Sequence, residues 1–172
     1  MAHAKRMTLI LYNSYDKNRW HEAHKRAIAR AAPICHAFNC NLAIMNFPGN
    51  REDIESIETT IGDSGKYLRE LIDNNKFNIV DNYQPQFGVA IATTSKPYEK
   101  KLITPEEVAD LLFKKSCGLI VGLGRHGLPK EILNFSKYHL DITKKGVSLE
   151  TCTAIGVIPS VISTLLNHAR YK

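Results

Sequence analysis

Two glycine-bearing segments near the end of the chain hold the residue types best suited to chemistry. The first, Gly122-Leu123-Gly124-Arg125-His126-Gly127-Leu128, follows an apolar, strand-like run over Cys117–Val121. The second, Lys145–Leu149, leads into a polar Ser148-Leu149-Glu150-Thr151 step that opens the final helical stretch. Glycine lets a backbone approach a ligand closely and adopt φ > 0. One such loop suggests a phosphate site. Two of them, both at strand ends, suggest one small ligand held by main-chain groups from both. Arg125 and His126 project from the first loop, where a phosphate or a substrate would meet them. An exposed turn is the plain alternative for His126.

The string Gly122-Leu-Gly124-Arg-His-Gly127 also reads G-x-G-x-x-G, the dinucleotide-binding fingerprint, and Asp141 falls near the expected offset of about 20 residues. Three features count against that reading. Pro129 would sit inside the helix that the fingerprint should open, removing an N–H and clashing with the preceding turn. Only about ten residues separate Gly127 from the next strand, which leaves little room for a phosphate-facing helix. After Asp141 only 31 residues remain, too few for the strands that complete a nicotinamide half.

The elements that must position these loops alternate between apolar runs and helical patterns. Strands are predicted over Thr8–Tyr12, Asn41–Asn46, Phe77–Val80, Gly88–Thr93, Cys117–Val121 and Tyr138–Ile142. Helices are predicted over Lys17–Phe38, Gly65–Asp73, Thr104–Lys114, Pro129–Phe135 and Thr151–Ala169. Thr104 caps the third of these, with Pro105 at its first position. Pro33 should kink or restart the first helix, and Pro159 should break the last into two. Arg51–Ile61 is an acidic segment, and Asn82–Gln86 is the most loop-like interior stretch. Strands separated by helices imply an α/β fold: a mainly parallel sheet covered by helices on both faces. With 172 residues, one domain spanning 1–172 is expected.

Composition narrows the function classes. The chain is 44% hydrophobic, and no run approaches the roughly 18–20 apolar residues of a membrane span. The N-terminus lacks a signal peptide's apolar core and cleavage site, so a cytoplasmic location follows by default. Cys35, Cys40, Cys117 and Cys152 form no C-x-x-C pair and read as buried thiols rather than zinc ligands. His21 and His24 lie three apart with no third ligand in sequence, so no metal is expected. A net charge of +6 favours a polyanionic partner, through release of counterions from phosphates. On the first helix, Trp20, Ala27, Ala31, Ile34 and Phe38 share one stripe, facing the core or a partner. Arg19, Arg26 and Arg30 form a second stripe roughly 100° away, either a phosphate track or a solvated flank.

These residues carry a family resemblance. The two loops, in this order ahead of a terminal helix, resemble motifs two and three of the SPOUT superfamily, the methyltransferases whose α/β fold ends in a C-terminal trefoil knot. The SpoU/TrmH-like ribose methyltransferases are the nearest branch, and the overall look is that of an archaeal subfamily. Gly122–Leu128 resembles their G-x-E-x-x-G-L loop, and Val147-Ser148-Leu149-Glu150-Thr151 their S-L-N step. Ala90–Lys96 is similar to the strand end and A-T-S/T turn of the first knot crossing. Ala27–Ala32 looks like the N-terminal helix motif. The chain departs from the pattern at Gly124, where the family has glutamate, at Glu150, where it has asparagine, at His24 in place of the first motif's asparagine, and at Pro159. The implied knot and cofactor pocket depend on backbone and tolerate these departures; the family's catalytic residues and target nucleotide are not carried over with them.

The resemblance implies S-adenosylmethionine as cofactor and RNA, tRNA or rRNA, as substrate. Main-chain groups around Gly122, Leu123, Gly124, Gly127 and Leu128 would hold the adenine. Ile142 and Leu149 would sandwich it, Thr93 and Thr94 would close the third side, and Val147 and Thr151 would complete the pocket. Arg30 would anchor a phosphate and stabilise the developing alkoxide, since its pKa precludes base action; one such donor is worth roughly 3 kcal/mol. Glu150 would take the proton or orient a hydroxyl, and Ser148 would fix the loop. Arg19, Arg26, Arg125 and His126 would face RNA. A homodimer through the first and last helices is implied, with Arg30 acting across it. For Glu150 a helix-opening acid favoured by the dipole is the plain alternative, and for Arg30 a surface charge. Loss of catalysis, leaving a knotted RNA-binding scaffold, is the rival function.

Overall fold

The computed structural model describes residues 3–49, 57 and 65–171. The acidic Arg51–Ile61 segment therefore lies outside the described residues, apart from Ile57. Among the described residues seven strands form one sheet: β1 (Met7–Tyr12), β2 (Asn41–Met45), β3 (Phe77–Val80), β4 (Val89–Thr93), β5 (Leu102–Ile103), β6 (Cys117–Gly122) and β7 (Tyr138–Leu140). Their order is β3-β2-β1-β6-β4-β7-β5, with every pairing parallel. Every residue of β1, MTLILY, is buried, as expected for a strand covered on both faces. The expected α/β architecture is present, and the short β5 is an addition.

Side chains alternating along the strands build two unequal cores. Leu9, Leu11, Leu119 and Val121 face α1 (Glu22–Ala37), α2 (Gly65–Asp73), α3 (Pro105–Leu112) and α5 (Thr151–Arg170). Ile10, Tyr12, Ala92 and Ile120 face the opposite way, toward Phe87, Leu128 and the short α4 (Lys130–Phe135). Among the described residues α-helices thus cover both faces, four on one and a single two-turn helix on the other.

Several boundaries differ from expectation for local reasons. Helix α1 begins at Glu22 rather than Lys17. Asn13 Oδ1 accepts from the N–H groups of Tyr15 and Asp16, and Asp16 Oδ1 from that of Asn18. These side-chain turns satisfy the amides and compete with helix. Arg19 and Trp20 therefore precede the helix, and the buried seam is His24, Ala27, Ile28, Ala31, Ala32 and Cys35, with Ile34 off it. Neither proline ends its helix: α1 runs through Pro33 and α5 through the buried Pro159. Beside Pro159, Ser160 Oγ donates to the carbonyls of Gly156 and Val157 at 2.8 and 3.0 Å. Thr104 caps α3 as expected, accepting from Glu107 N at 3.2 Å in a capping box. Contrary to expectation, α5 is by length and composition apolar enough to cross a bilayer, and 28% of its most apolar stretch is buried. Its Ile155, Ile158, Ile162 and Leu166 are buried in the larger core, where the helix packs chiefly against α1 and α3.

Candidate functional site

Parallel strands deliver the loops after β4, β6 and β7 to the same sheet edge, and the order β6-β4-β7 makes them neighbours. Ligands of open α/β sheets bind beyond these carboxyl ends. The loop after β4 is tied down on both sides. Thr93 Oγ1 donates to Ile120 O at 2.7 Å, Thr94 N donates to Leu140 O at 3.0 Å, and Thr94 Oγ1 accepts from Lys96 N at 3.1 Å.

The loop after β6 turns back on itself, with Gly127 N donating to Gly124 O at 3.0 Å. Its glycines have different reasons. Only Gly127 adopts the left-handed φ expected of all three, at 68°, and a side chain there would enter open space. Gly122 and Gly124 are needed for close approach instead. A Cβ at Gly122 would lie 2.8 Å from the Gly127 carbonyl carbon, and one at Gly124 would lie 2.8 Å from Ser14 Oγ. Ser14 Oγ accepts from Gly124 N at 2.9 Å, which ties the loop to the segment after β1. Leu123 packs against the four-helix core and Leu128 is buried in the opposite one, so the loop is pinned to both faces of the sheet. Leu128 is an anchor beneath the loop rather than part of its open surface.

After β7 the chain is organised by Asp141. Its Oδ1 accepts from Thr143 N at 3.0 Å and Thr143 Oγ1 at 2.7 Å, and its Oδ2 from Gly146 N at 2.7 Å. The carboxylate is committed to its own loop, which removes it as the ribose-binding acid of a dinucleotide fold. Lys144 Nζ contacts Glu106 Oε1 at 2.6 Å, and Thr151 Oγ1 donates to Gly122 O at 3.3 Å. The segment between these contacts passes Ser95, whose carbonyl lies 3.5 Å from a Cβ placed on Gly146. Thus it crosses the end of β4 to reach β6. Ile142 and Leu149 are half-buried, Ile142 against the core; Val147, Ser148 and Glu150 are exposed.

Glu150 is the N-cap of α5. Its Oε2 accepts from Cys152 N at 2.9 Å and Thr153 N at 3.2 Å. These amides hold its pKa below the ordinary carboxylate value, and the Arg30 guanidinium adds to the effect. Arg30 and Glu150 therefore share one neighbourhood within a single chain. A carboxylate so stabilised is a weak proton acceptor but a good anchor. Arg26 and Arg30 are exposed on α1, Arg19 on the loop before it, and Arg125 and His126 on the loop after β6.

A buried cluster beside this edge was not foreseen. His24 Nε2 lies 2.9 Å from Asn13 Oδ1, and its Nδ1 accepts from His21 N at 2.9 Å. Asn13 Oδ1 already accepts two backbone N–H groups, so Nε2 carries the proton and the ring is neutral. Burial, then the nearby His21, lowers its pKa from the usual imidazole value. Asn13 Nδ2 also donates to Asn46 O at 3.0 Å. The signal in sequence was Asn13 itself, a polar residue ending an apolar strand. His21 Nε2 contacts Asp16 Oδ2 at 2.7 Å. Among the described residues no group of three metal-binding side chains occurs. Cys35, Cys40 and Cys117 are buried, whereas Cys152 is partly open.

The architecture is shared with solved methyltransferase structures. A "probable methylase family protein" from Haemophilus influenzae aligns with a TM-score of 0.68 at 19% identity, over 98% of this chain and 69% of its own. A structure concerned with 2-OH methylation of C/U34 on tRNA gives 0.65 at 17% identity, covering 96% of this chain and 99% of that one. The SpoU methyltransferase AviRb of Streptomyces viridochromogenes, solved with AdoMet, gives 0.58 at 13% identity over 94% and 58% of the two chains. The fold is therefore one that this chain shares with these methyltransferase structures. By sequence the chain belongs to the family described as "Protein of unknown function (DUF531)", whose model matches residues 7–163. The uncharacterized protein MJ0224 of the archaeon Methanocaldococcus jannaschii is 69% identical over 94% of this chain and 96% of its own.

Proposed function

We propose that this protein is an S-adenosylmethionine-dependent RNA methyltransferase acting on a ribose 2′-hydroxyl of tRNA or rRNA. The observation that carries the proposal is the convergence of three neighbouring loops on one edge, closed by the Thr151–Gly122 hydrogen bond. Similar structures include one solved with AdoMet and one concerned with tRNA methylation, which supports both the cofactor and the substrate class. In this reading, backbone groups around Gly122, Gly124 and Gly127 hold the adenine, Ile142 and Leu149 flank it, and Thr93 and Thr94 close the third side. The crossing of β4 by residues 141–150 is where a trefoil knot would form.

The sulfonium supplies an activated methyl group, so the protein needs chiefly to place an oxygen in line and manage its proton. Arg30 binds the phosphate beside the target ribose and stabilises the alkoxide as it develops, and the hydroxyl proton leaves to solvent water beside the exposed Ser148 and Glu150 as the thioether product forms. Glu150, held as a carboxylate by helix amides, orients Arg30 and fixes the start of α5. Ser148 presents its hydroxyl on the exposed loop. Arg19, Arg26, Arg125 and His126 steer RNA. A homodimer through α1 and α5 would cover the open apolar side of α5.

Calorimetric titration with S-adenosylmethionine, and separately with NAD, tests the proposal. Micromolar S-adenosylmethionine binding at one site per chain or per dimer is expected. NAD binding in its place would overturn the reading. RNA binding with no turnover, at an affinity indifferent to the cofactor, would instead favour a scaffold that has lost catalysis, as Gly124 and Glu150 in place of the family residues would allow.

A further inference from the structure

The opposite edge of the sheet carries a cationic cleft that the candidate site does not use. Where β1, β4 and β6 begin, a concavity of about 500 Å³ is lined by Lys5, Gly88, Lys114, Lys115 and Ser116 together with Pro85 and Gln86. Its walls are knit by backbone hydrogen bonds, Val89 N to Ser116 O at 2.8 Å and Cys117 N to Arg6 O at 3.0 Å. No carboxylate lines it. Lys5, Lys114 and Lys115 are exposed, and among the described residues none of them forms an ion pair. Lys114 and Lys115 follow α3, where cations are favoured by the helix dipole. That explanation does not extend to Lys5 and Arg6, which precede β1, or to Lys137, which precedes β7 and donates its N–H to Ala90 O at 3.0 Å. Positive charge thus runs along the start of β1, β6 and β7, across about 14 Å at the usual strand spacing.

An aromatic pair stands at the rim. The Tyr83 hydroxyl donates to the carbonyl of Gly88, a cleft residue, at 3.0 Å. Its ring lies 5.3 Å from that of Phe135, centroid to centroid. Phe135 ends α4 with 57% of its surface exposed. A large exposed ring held in place by a second aromatic, beside uncompensated lysines, is the combination by which single-stranded nucleic acid is bound: charge tracks the backbone and a ring stacks on a base.

We propose that this cleft, with Phe135 at its rim, is a second RNA-binding site that grips the phosphates of a single-stranded segment and stacks an unpaired base. The proposal rests on RNA being the substrate class, and places a grip on that RNA at the far end of the strands from the methyl-transfer edge. A protein partner with an acidic surface is the other possible occupant; for it, the exposed ring would find no base to stack on.

The test is fluorescence anisotropy with a labelled 20-nucleotide oligouridylate, over a range of salt, for three full-length proteins. These are the wild type, the triple variant Lys5→Ala/Lys114→Ala/Lys115→Ala, and Phe135→Ala. S-adenosylmethionine affinity and thermal melting are measured in parallel. The triple variant should bind RNA at least about tenfold more weakly, with the log–log salt slope reduced by about 2, since each single-strand phosphate contact contributes about 0.7. Phe135→Ala should weaken binding about five- to tenfold with the slope unchanged. Cofactor affinity should be the same in all three. Wild-type RNA binding matched within twofold by both variants would overturn the inference and leave the methyltransferase reading intact. Cofactor binding without RNA binding by the wild type would overturn the inference together with the RNA assignment. RNA binding that falls in the variants, in a protein that takes up no cofactor, would support the inference while removing the methyltransferase reading.

Discussion

Replacing Gly122 with alanine should damage cofactor binding by moving backbone, without placing any atom in the pocket. The new Cβ would meet the Gly127 carbonyl carbon at 2.8 Å, its oxygen at 3.0 Å and Leu128 N at 3.1 Å. Carbon atoms pack comfortably at about 3.5 Å or more, so the Gly127 end of the loop must retreat by about 0.7 Å. Neither end yields easily, because Leu128 is buried and Gly122 is paired in the sheet with Tyr12. Overpacking of this kind costs about 1–3 kcal/mol, which for a chain of this length lowers Tm by about 3–10 °C. The retreat also strains the Gly127 N to Gly124 O turn and the Thr151 hydroxyl bond to Gly122 O, so both loops shift together. Displacements near 1 Å can cost about a hundredfold where geometry matters. Titration calorimetry with S-adenosylmethionine, paired with circular dichroism melts, should give a Kd raised about 10- to 100-fold on a folded protein. A variant with lowered Tm but a Kd within twofold of wild type would refute the argument, because the loop would then have moved without the ligand sensing it.

The other expectations concern single side chains. Gly127→Val fills open space above the loop and forces a β-branched residue to a φ of 68°. It should abolish cofactor binding and cost about 1–2 kcal/mol of stability; unchanged calorimetric affinity would remove this loop from the pocket. Arg30→Ala should eliminate methyl transfer, measured by tritium incorporation into RNA, while leaving S-adenosylmethionine affinity unchanged. Near wild-type turnover would show that the guanidinium is a surface charge. Because the folded pKa of His24 lies below the unfolded value of about 6.5, the unfolded chain takes up its proton first as pH falls. Its stabilising contribution is complete above about pH 6.5 and declines below it. A plot of Tm against pH from 5 to 8 should slope upward in the wild type and flatten in His24→Gln; equal slopes would contradict the buried neutral ring. For Glu150 the carboxyl is also held low, so its capping contribution is present above the usual carboxylate range and lost on acidification. Glu150→Ala should lower Tm at pH 7 by an amount corresponding to about 0.5–1 kcal/mol, with the difference vanishing below about pH 4.

The strands were legible because sheet burial on both faces writes itself as unbroken apolar runs such as Thr8–Tyr12 and Cys117–Val121. Glycine spacing likewise marked the loops after β6 and β7, and a strand end marked Thr93 and Thr94. The start of α1 was misread because periodicity is local and blind to Asn13 and Asp16, whose side chains satisfy the amides that a helix would have used. The expected break at Pro159 failed for the complementary reason: proline rules weigh a lost hydrogen bond but not the packing that keeps the helix whole. The two-residue β5 leaves almost no sequence signal. The link between His24 and Asn13 and the proximity of Arg30 to Glu150 depend on separate segments brought together by folding, and the commitment of Asp141 to its own loop depends on a turn geometry that periodicity does not read. So does the different role of each glycine in Gly122–Gly127, which needs coordinates to separate close approach from positive φ.

The central position of β6 has a consequence for how the molecule comes into being. Met7 pairs with Cys117, and Val89 with that same residue, so β1 and β4 meet only through a strand that is synthesised after both. Until residues 117–122 emerge, a nascent chain holds one half-sheet, β3-β2-β1, with a bare apolar edge at β1, while β4 waits unpaired for β6 and β7; both are open to mispairing. The edge that would carry methyl transfer spans β6, β4 and β7 and is completed later still, when Thr151 reaches Gly122. On the proposed reading, methyl transfer therefore waits for closure of the whole sheet, and an early release of the chain from synthesis yields a sticky fragment without that function. Such long-range pairing also predicts folding on the slow side for a chain of this size.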